Sequence, residues 1–262
     1  MRQLMIRLRL VAAALGLLGL PTGAWAVADA EAKLPRLSWS FSGPFGTFDT
    51  AQLQRGYRVY REVCSSCHSM ALLSFRNLAE RGGPYFTEAQ AKQIASEYKV
   101  QDGPNDQGEM FERPGRLSDR FPRPFPNEMA ARASNGGALP LDLSVMAKAR
   151  EGGTDYLHAV LIGYRDAPAG EEVPAGKYYN VYFPGHLISM PPPLSDGQIS
   201  YTDGSPTTAD QYARDVSAFM MWAAEPRLDD RKRVGFETMA FLVVFAGLLY
   251  LTKRKVWAGL DH

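Results

Sequence analysis

Cysteine and histidine are both scarce in this 262-residue chain. It has two cysteines and four histidines, and the cysteines stand at positions 64 and 67. A structural zinc site takes four ligands, and the histidines at 68, 158, 186 and 262 supply no second paired motif. The chain also lacks internal repeats and a βαβ pattern near the cysteines. These absences argue against a zinc module and against a thioredoxin-like dithiol.

What is present is the pentapeptide Cys64-Ser65-Ser66-Cys67-His68. Cys-x-x-Cys-His is typical of covalent haem attachment, because two thiols at this spacing reach one edge of the macrocycle. The imidazole of His68 then lies under the ring and can bind the iron as an axial ligand. The sequence therefore predicts a c-type haem, with a thiol redox module as the alternative.

The N-terminus has the pattern of a secretory signal. Three arginines precede an apolar stretch at residues 10–20, and the triplet at 24–26 fits a small-x-small cleavage site. The stretch is too short to span a membrane. We predict a signal peptide over 1–26, with 26–28 as an alternative cleavage triplet, and an exported haem domain over 27–230. A lone exported cysteine pair would tend to form a disulfide, and haem attachment is its other fate.

A second apolar stretch lies near the C-terminus, at residues 234–252. As a helix it rises about 28 Å, close to the roughly 30 Å hydrocarbon core of a bilayer. Basic triplets flank it on both sides, so charge does not decide its orientation. The signal peptide does: we predict an anchor over 231–255, a cytoplasmic tail over 256–262, and a periplasmic haem domain on a bacterial inner membrane.

The net charge of +1 conceals an asymmetry. Residues 27–230 hold 20 Lys or Arg and 26 Asp or Glu, which leaves about six negative charges. An acidic exported domain steers positively charged partners, although any single acidic residue is more simply explained as a solubilising charge. Nucleic acid is not an expected partner.

Helical spacing dominates the exported domain, which predicts a mainly α fold with long loops. Asp49 is placed to cap a helix that leads into the haem motif, with Leu53, Tyr57 and Tyr60 on its apolar face. Further helices are predicted over 88–98, 144–150, 155–164 and from Thr208 to Ala223. Residues 178–183 are predicted to be extended, and 103–135 to form a long ordered loop.

The second axial ligand decides between electron transfer and ligand binding. Met70 is too close to His68 to reach the opposite face, and Met146, Met220 and Met221 lie on predicted helices where packing is their ordinary role. Met190 precedes three prolines that hold its segment extended. The residues alone leave Met110, Met129, His158 and His186 open beside Met190.

Several motifs together resemble the cytochrome c1 family of alphaproteobacterial type, over about residues 48–257. The matching stretches are Arg55-Gly56-Tyr57, Val63 to Met70, Val100 to Asn105, Gly108 to Phe111, Ala130 to Ala133, Asp142 to Ser144, Gly163-Tyr164, Tyr182 to Gly185, Met190 to Pro192 and Trp222 to Pro226. The last stretch, directly before a C-terminal span, is the most specific.

The resemblance implies a cytochrome c-like domain with long loop insertions and one covalently bound haem c. It assigns Met190 as the second axial ligand beside His68, with the haem held by Cys64 and Cys67. It also implies contacts from Arg150 and Tyr156 to the haem propionates, and it places Asn135 near the haem.

The same resemblance implies a subunit of ubiquinol–cytochrome c oxidoreductase, the bc1 complex, in a respiratory or photosynthetic chain. The expected partners are cytochrome b, a Rieske iron–sulfur protein as donor, a soluble or membrane-anchored cytochrome c as acceptor, and membrane lipid. No independent catalysis is expected of the chain. An open-site haem peroxidase is the rival from another class of protein.

Overall fold

The structure, a computed structural model, describes residues 32–259. The predicted signal peptide at 1–26 lies outside the described residues, as do the last three residues of the predicted tail. Within 32–259 the chain is mainly helical, as predicted. In chain order it forms α1 (Thr50–Glu62), α2 (Glu88–Ser96), β1 (Lys99–Asp102), β2 (Phe111–Pro114), α3 (Glu128–Ser134), α4 (Met146–Ala149), α5 (Gly153–Ile162), β3 (Tyr178–Tyr179), β4 (Leu187–Ile188), α6 (Ala209–Ala224) and α7 (Leu228–Trp257).

The helix before the haem motif begins where the sequence predicts. The Asp49 side chain accepts hydrogen bonds from the backbone N–H groups of Ala51 and Gln52, at 2.9 and 3.2 Å, and so caps the first turn of α1. Leu53, Tyr57 and Tyr60 are buried on one face. This face fixes the direction in which α1 delivers the haem motif at its C-terminal end.

α1 packs closely against α6, and a glycine makes the approach possible. A Cβ atom on Gly56 would lie 2.1 Å from the backbone oxygen of Asp215, so no larger residue fits there. Next to it, Arg55 donates to the fully buried Asp215 carboxylate at 2.9 and 3.3 Å. Arg55 also pairs with Asp203 at 2.7 Å. The ion pairs therefore join the two helices and the loop that precedes α6.

The prediction of a long loop over 103–135 is wrong in two places. β1 and β2 form an antiparallel hairpin in which Asp102 is opposite Phe111, and α3 occupies the end of the segment. Asn127 caps α3 by accepting from the Ala130 N–H at 2.9 Å. Strands of four residues and a helix of seven are too short to show a sustained hydrophobic periodicity. The capping residue Asn127 was the one local indication of α3 in the sequence.

The remaining predicted elements differ from the structure mainly at their ends. The prediction of a helix over 88–98 is confirmed by α2, with Thr87 and Gln90 forming a capping box. The helix predicted over 144–150 is shorter in the structure, as α4, and α5 begins at Gly153, two residues before its predicted start. The predicted extended stretch is a two-residue strand, β3, paired with β4.

The C-terminal helix is longer than the predicted apolar span. α7 covers 30 residues, and it is the one helix of the described chain that is long and apolar enough to cross a membrane. It begins at Leu228, six residues before the predicted span, because its first turn packs against the haem domain. Leu228 is 4% exposed, whereas Phe236 and Phe241 further along are more than 60% exposed.

Candidate haem site

The two cysteines and the histidine lie on one turn that continues from α1. Residues Cys64–Ser66 form a 3₁₀ turn, and the Cys64 carbonyl accepts from the N–H groups of Cys67 and His68 at 3.1 and 2.8 Å. One carbonyl therefore sets the relative positions of all three functional residues. The structure brings Cys64, Cys67 and His68 together as the motif predicts.

Both thiols are free and half-buried. Burial, together with the neighbouring Cys67, raises the pKa of the Cys64 thiol to about 12. A thiol with this pKa is protonated near neutral pH and lacks the thiolate character of redox-active dithiols. The direction of this shift opposes the thiol redox alternative, which needs a low thiol pKa.

The imidazole of His68 is oriented by a backbone carbonyl. Its Nδ1 lies 2.7 Å from the oxygen of Leu141, so Nδ1–H donates and Nε2 keeps its lone pair. Burial lowers the pKa of His68, against the opposing effects of this hydrogen bond and of the Asp142 charge. The ring is neutral near pH 7, and a neutral imidazole fixed through its other nitrogen is the form that binds metal.

The segment after His68 is bound to a second loop by several hydrogen bonds. The Asp142 carboxylate accepts from the Ser69 hydroxyl at 2.7 Å and from the Ala71 N–H at 2.9 Å. In the opposite direction, the Leu143 N–H donates to the Ser69 carbonyl at 2.8 Å. The Ser144 hydroxyl accepts from the Leu72 N–H at 3.1 Å. These bonds hold Leu141 under His68.

Asp142 is ionised because its hydrogen bonds outweigh its burial. Burial raises the pKa of Asp142, but bonds from Ser144, Ala71 and Ser69 more than compensate and hold the pKa below its ordinary value. Its negative charge favours a histidine that carries partial positive charge through metal binding.

Met190 lies on a different part of the fold. It is half-buried and follows β4 by two residues. Its carbonyl accepts from the Tyr164 hydroxyl at 3.1 Å. Tyr164 stands just after α5, and burial, with a contribution from Tyr178, raises the pKa of its phenol, so it stays a neutral donor. α5 thereby positions the Met190 backbone.

The hairpin before Met190 is fastened to the same helix. The fully buried Asn180 donates to the Val160 carbonyl of α5 at 2.8 Å and accepts from the Tyr182 N–H at 3.1 Å. The backbone of Asn180 also donates to the His186 carbonyl at 2.7 Å. The end of α5 thus sets the course of the chain toward Met190.

The other candidates for the second iron ligand are either exposed or already in contact with polar groups of the protein. Met110 and Met129 are 59% and 83% exposed. The His158 Nε2 pairs with Asp210 at 3.0 Å, and His186 contacts the Asn180 carbonyl at 3.3 Å. Within residues 32–259, no three His, Cys, Asp or Glu side chains form a metal-binding cluster. These placements favour Met190 among the open alternatives.

The three residues that the resemblance places around the haem differ in their exposure and in their local contacts. Burial raises the pKa of Tyr156 and the Arg150 charge opposes it, so this guanidinium and this phenol lie near each other at the start of α5. Arg150 is exposed. Asn135 ends α3, and its amide donates to the Ala131 carbonyl at 2.7 Å, which uses one of its donors locally.

Sequence reasoning missed Leu141, Asp142 and Tyr164 as residues that position the site. The Leu141 carbonyl carries no sequence signal, because any residue offers one. Asp142 and Tyr164 do lie in the motifs that carried the family resemblance, and that was the signal available.

Comparison with known proteins gives a consistent result. A family model described as the cytochrome C1 family matches residues 39–260. The chain is 56% identical to a cytochrome b/c1 of Bradyrhizobium diazoefficiens over 86% of its own length and 36% of that protein. It is 50% identical to a mitochondrial cytochrome c1-2 heme protein of Solanum tuberosum, over 94% of each. It is 45% identical to the cytochrome c1 of Blastochloris viridis, over 96% of each. The chain spans about a third of the first relative and nearly all of the other two.

Proposed function

The chain belongs to the cytochrome c1 family, and on that premise we propose that it carries single electrons from a Rieske iron–sulfur protein to a cytochrome c. The family places it as the electron-transfer subunit of the bc1 oxidoreductase complex, with covalently bound haem c. The observation that carries the proposal is the neutral His68 ring, with Nδ1 fixed on Leu141, directly after two free thiols.

The donor set fits a haem of the c type. Two free thiols on one turn can form two thioether bonds, and the fixed tautomer of His68 leaves Nε2 for the iron. Met190 supplies a neutral thioether on a segment whose backbone is held by Tyr164. A histidine–methionine pair gives a high-potential electron carrier.

Haem c, when bound, supplies a one-electron ferric–ferrous couple. Cys64 and Cys67 would hold the group covalently, and His68 and Met190 would both bind its iron, which would exclude small ligands. Arg150 and Tyr156 would offer the propionates charge-assisted hydrogen bonds from a guanidinium and a phenol. Asn135 would lie near the haem. The side chains gain and lose no protons in the transfer.

α7 anchors the haem domain to the membrane. The proposed arrangement is a single-pass protein of a bacterial inner membrane, with the haem domain in the periplasm and the C-terminus in the cytoplasm. This orientation follows from the predicted signal peptide. Cytochrome b is the proposed neighbour in the membrane.

The acidic surface is the proposed landing area for a basic cytochrome c. One acidic run, Asp102, Asp106, Glu109 and Glu112, lies on the β1–β2 hairpin. It is partly neutralised, because Asp102 pairs with Arg113 and Glu112 lies 3.7 Å from Lys99. The second run, at residues 166–172, is exposed. It lies between α5 and β3, on the segment that leads to Met190, where it can attract a cationic acceptor.

Covalent attachment is tested by a haem stain after denaturing electrophoresis. Membranes are compared from cells producing the wild type, Cys64→Ala, Cys67→Ala, and the matched control Ser66→Ala from the same turn. We expect stain at the mass of the wild type and the control. Reduced or absent stain is expected for the cysteine variants. A wild-type chain without stain would reject the haem proposal.

The route of the electron is tested in purified complex. Ubiquinol should reduce the haem of this chain only when the Rieske protein is present, whereas a small-molecule reductant should reduce it in either case. Raising the ionic strength should then slow oxidation by a basic cytochrome c, because salt screens exposed charges. Reduction by ubiquinol without the Rieske protein, or salt-independent oxidation, would contradict the corresponding step. Rapid carbon monoxide binding to the native reduced protein would favour the peroxidase-like alternative.

A further inference from the structure

The loop between residues 41 and 48 carries an aromatic side chain that points away from the core. Phe41 and Phe48 at its two ends are 7% and 8% exposed, and their rings lie 4.9 Å apart. Trp39 stacks on Phe41 at 5.6 Å and is equally buried. Phe45, at the tip, is 76% exposed. Three aromatics therefore fix the base of the loop, and the fourth is presented to the surroundings.

The backbone makes this tip rigid. Gly43 adopts a φ of +73°, which favours glycine, and a Cβ on Gly46 would lie 2.1 Å from the Ser42 carbonyl oxygen. The Lys232 ammonium donates to the carbonyls of Phe41 and Gly46, at 2.6 and 2.9 Å. A lysine of α7 thus ties both sides of the loop and keeps Phe45 outward.

The same contacts place the tip beside the start of the membrane span. The Phe45 ring lies 5.7 Å from that of Phe236 in an edge-on arrangement. Phe236 is 62% exposed and lies three residues beyond the last flanking basic residue, Arg233. At 1.5 Å per residue this is about one turn into the apolar stretch. With α7 spanning a bilayer, this level of the helix is the boundary between headgroups and hydrocarbon.

We propose that Phe45 is a second membrane contact of the haem domain, inserted into the lipid interface next to α7. The occupant is lipid because the tip continues the exposed apolar surface of α7, of which Phe236 and Phe241 are part. A single transmembrane helix can tilt within the bilayer and carry with it the domain that packs on its first turn. A rigid aromatic tip beside it adds a second point of contact and fixes the tilt of the haem domain relative to the membrane surface.

This contact is apolar rather than electrostatic. The basic residues at the start of the span are already paired within the chain: Arg231 with Glu225, and Arg233 with Asp230 at 3.0 Å. The ammonium of Lys232 is bonded to the loop carbonyls. These cationic groups are held by partners within the chain, and the Phe45 side chain is apolar, so its insertion should occur in zwitterionic lipid as well.

The test measures the depth of position 45 in a bilayer. The inference rests on α7 spanning the membrane, as in the proposed function, but not on the electron route. Haem attachment consumes both native cysteines, so Phe45→Cys in the haem-loaded full chain offers one thiol for a nitroxide label. Phe241→Cys reports the span, and Met129→Cys on α3, at a position that is 83% exposed, reports water. Accessibility to oxygen and to a water-soluble nickel complex is measured in phosphatidylcholine nanodiscs.

We expect the oxygen-to-nickel accessibility ratio at position 45 to be several-fold higher than at position 129 and to approach that at 241. The haem spectrum should be unchanged in all three variants. A ratio at 45 equal to that at 129, with a high ratio at 241, would overturn the inference while leaving the anchor intact. A water-accessible label at 241 would instead reject the span, and with it both proposals.

A photo-crosslinking amino acid at position 45 extends the test to the assembled complex. A benzophenone side chain there should yield phospholipid adducts of this chain by mass spectrometry, and the same group at position 129 should not. A crosslinked protein subunit at position 45 would overturn the inference, because it would identify a protein surface as the occupant in place of lipid.

Discussion

The His68 side and the Met190 side of the haem site are held in different ways. On the His68 side, two segments, residues 68–72 and 141–144, exchange hydrogen bonds through both backbone and side chains. Met70 and Ser144 within them are fully buried. On the Met190 side, a hairpin of two-residue strands leads into a proline-rich stretch, and Tyr164 bonds the Met190 carbonyl.

The difference follows from what each ligand must do. His68 directly follows the proposed attachment point at Cys67, so its neighbours need only orient a ring that is already in place. Met190 lies far along the chain, and its position depends on how well the intervening fold is held. Because fewer bonds hold it, we expect the Met190 side to be the one that loosens first under stress.

The largest effect should come from removing the better-held ligand. In His68→Ala the thioether bonds through Cys64 and Cys67 remain possible, but no neighbouring side chain can replace the imidazole above Leu141. We expect the stable low-spin haem spectrum to be lost, as measured by absorption of the reduced protein. His186→Ala, a half-buried histidine away from the motif, is the matched control. A normal reduced spectrum in His68→Ala would remove this assignment.

The next effect concerns the other axial position. Met190→Leu keeps the apolar volume but removes the thioether, which stabilises the ferrous state. We expect the haem to stay attached, the midpoint potential to fall sharply, and carbon monoxide to bind rapidly, all measured on purified protein. Met129→Leu, at a position 83% exposed, should change neither quantity. An unchanged potential in Met190→Leu would transfer the ligand role to another residue.

These two sides also differ in how far the sequence could predict them. The Cys64–His68 turn follows from a contiguous motif, and α1 from an Asp49 cap and apolar spacing, all of which are local. The tautomer of His68 depends on the carbonyl of Leu141, 73 positions away, and a carbonyl has no sequence signature. The contact of Tyr164 with Met190 likewise required the folded hairpin, whose strands are too short to show a period.

A smaller effect, on the free energy of unfolding, should come from the Asp142 carboxylate on the His68 side. Asp142→Asn keeps the size of the side chain but removes its charge. It also replaces one of the two oxygens that accept the three hydrogen bonds of this side chain. We expect a loss of about 1–3 kcal/mol in the free energy of unfolding, measured by guanidinium denaturation at pH 7. Asp106→Asn, an exposed aspartate on the hairpin tip, is the control.

The same variant carries a pH dependence with a definite sign. The pKa of Asp142 is lower in the folded protein than its ordinary value of 3.8. Its contribution is therefore complete above that value and is lost as the pH falls through the folded pKa. The difference in stability between wild type and Asp142→Asn should narrow below about pH 4. A constant difference over that range would show that the carboxylate charge contributes nothing.

The smallest effect should come from the single bond on the Met190 side. Tyr164→Phe removes the hydroxyl that donates to the Met190 carbonyl and leaves the ring packing in place. A lost hydrogen bond of about 0.5–1.5 kcal/mol should raise the population with the thioether detached about two- to tenfold. Carbon monoxide binding to the reduced protein should accelerate by the same factor, while the haem stain and the global stability change little. Tyr85→Phe, an exposed tyrosine, is the control. Binding as slow as in the wild type would mean that the prolines and the hairpin hold Met190 without Tyr164, and that the two sides are more alike than their hydrogen bonds indicate.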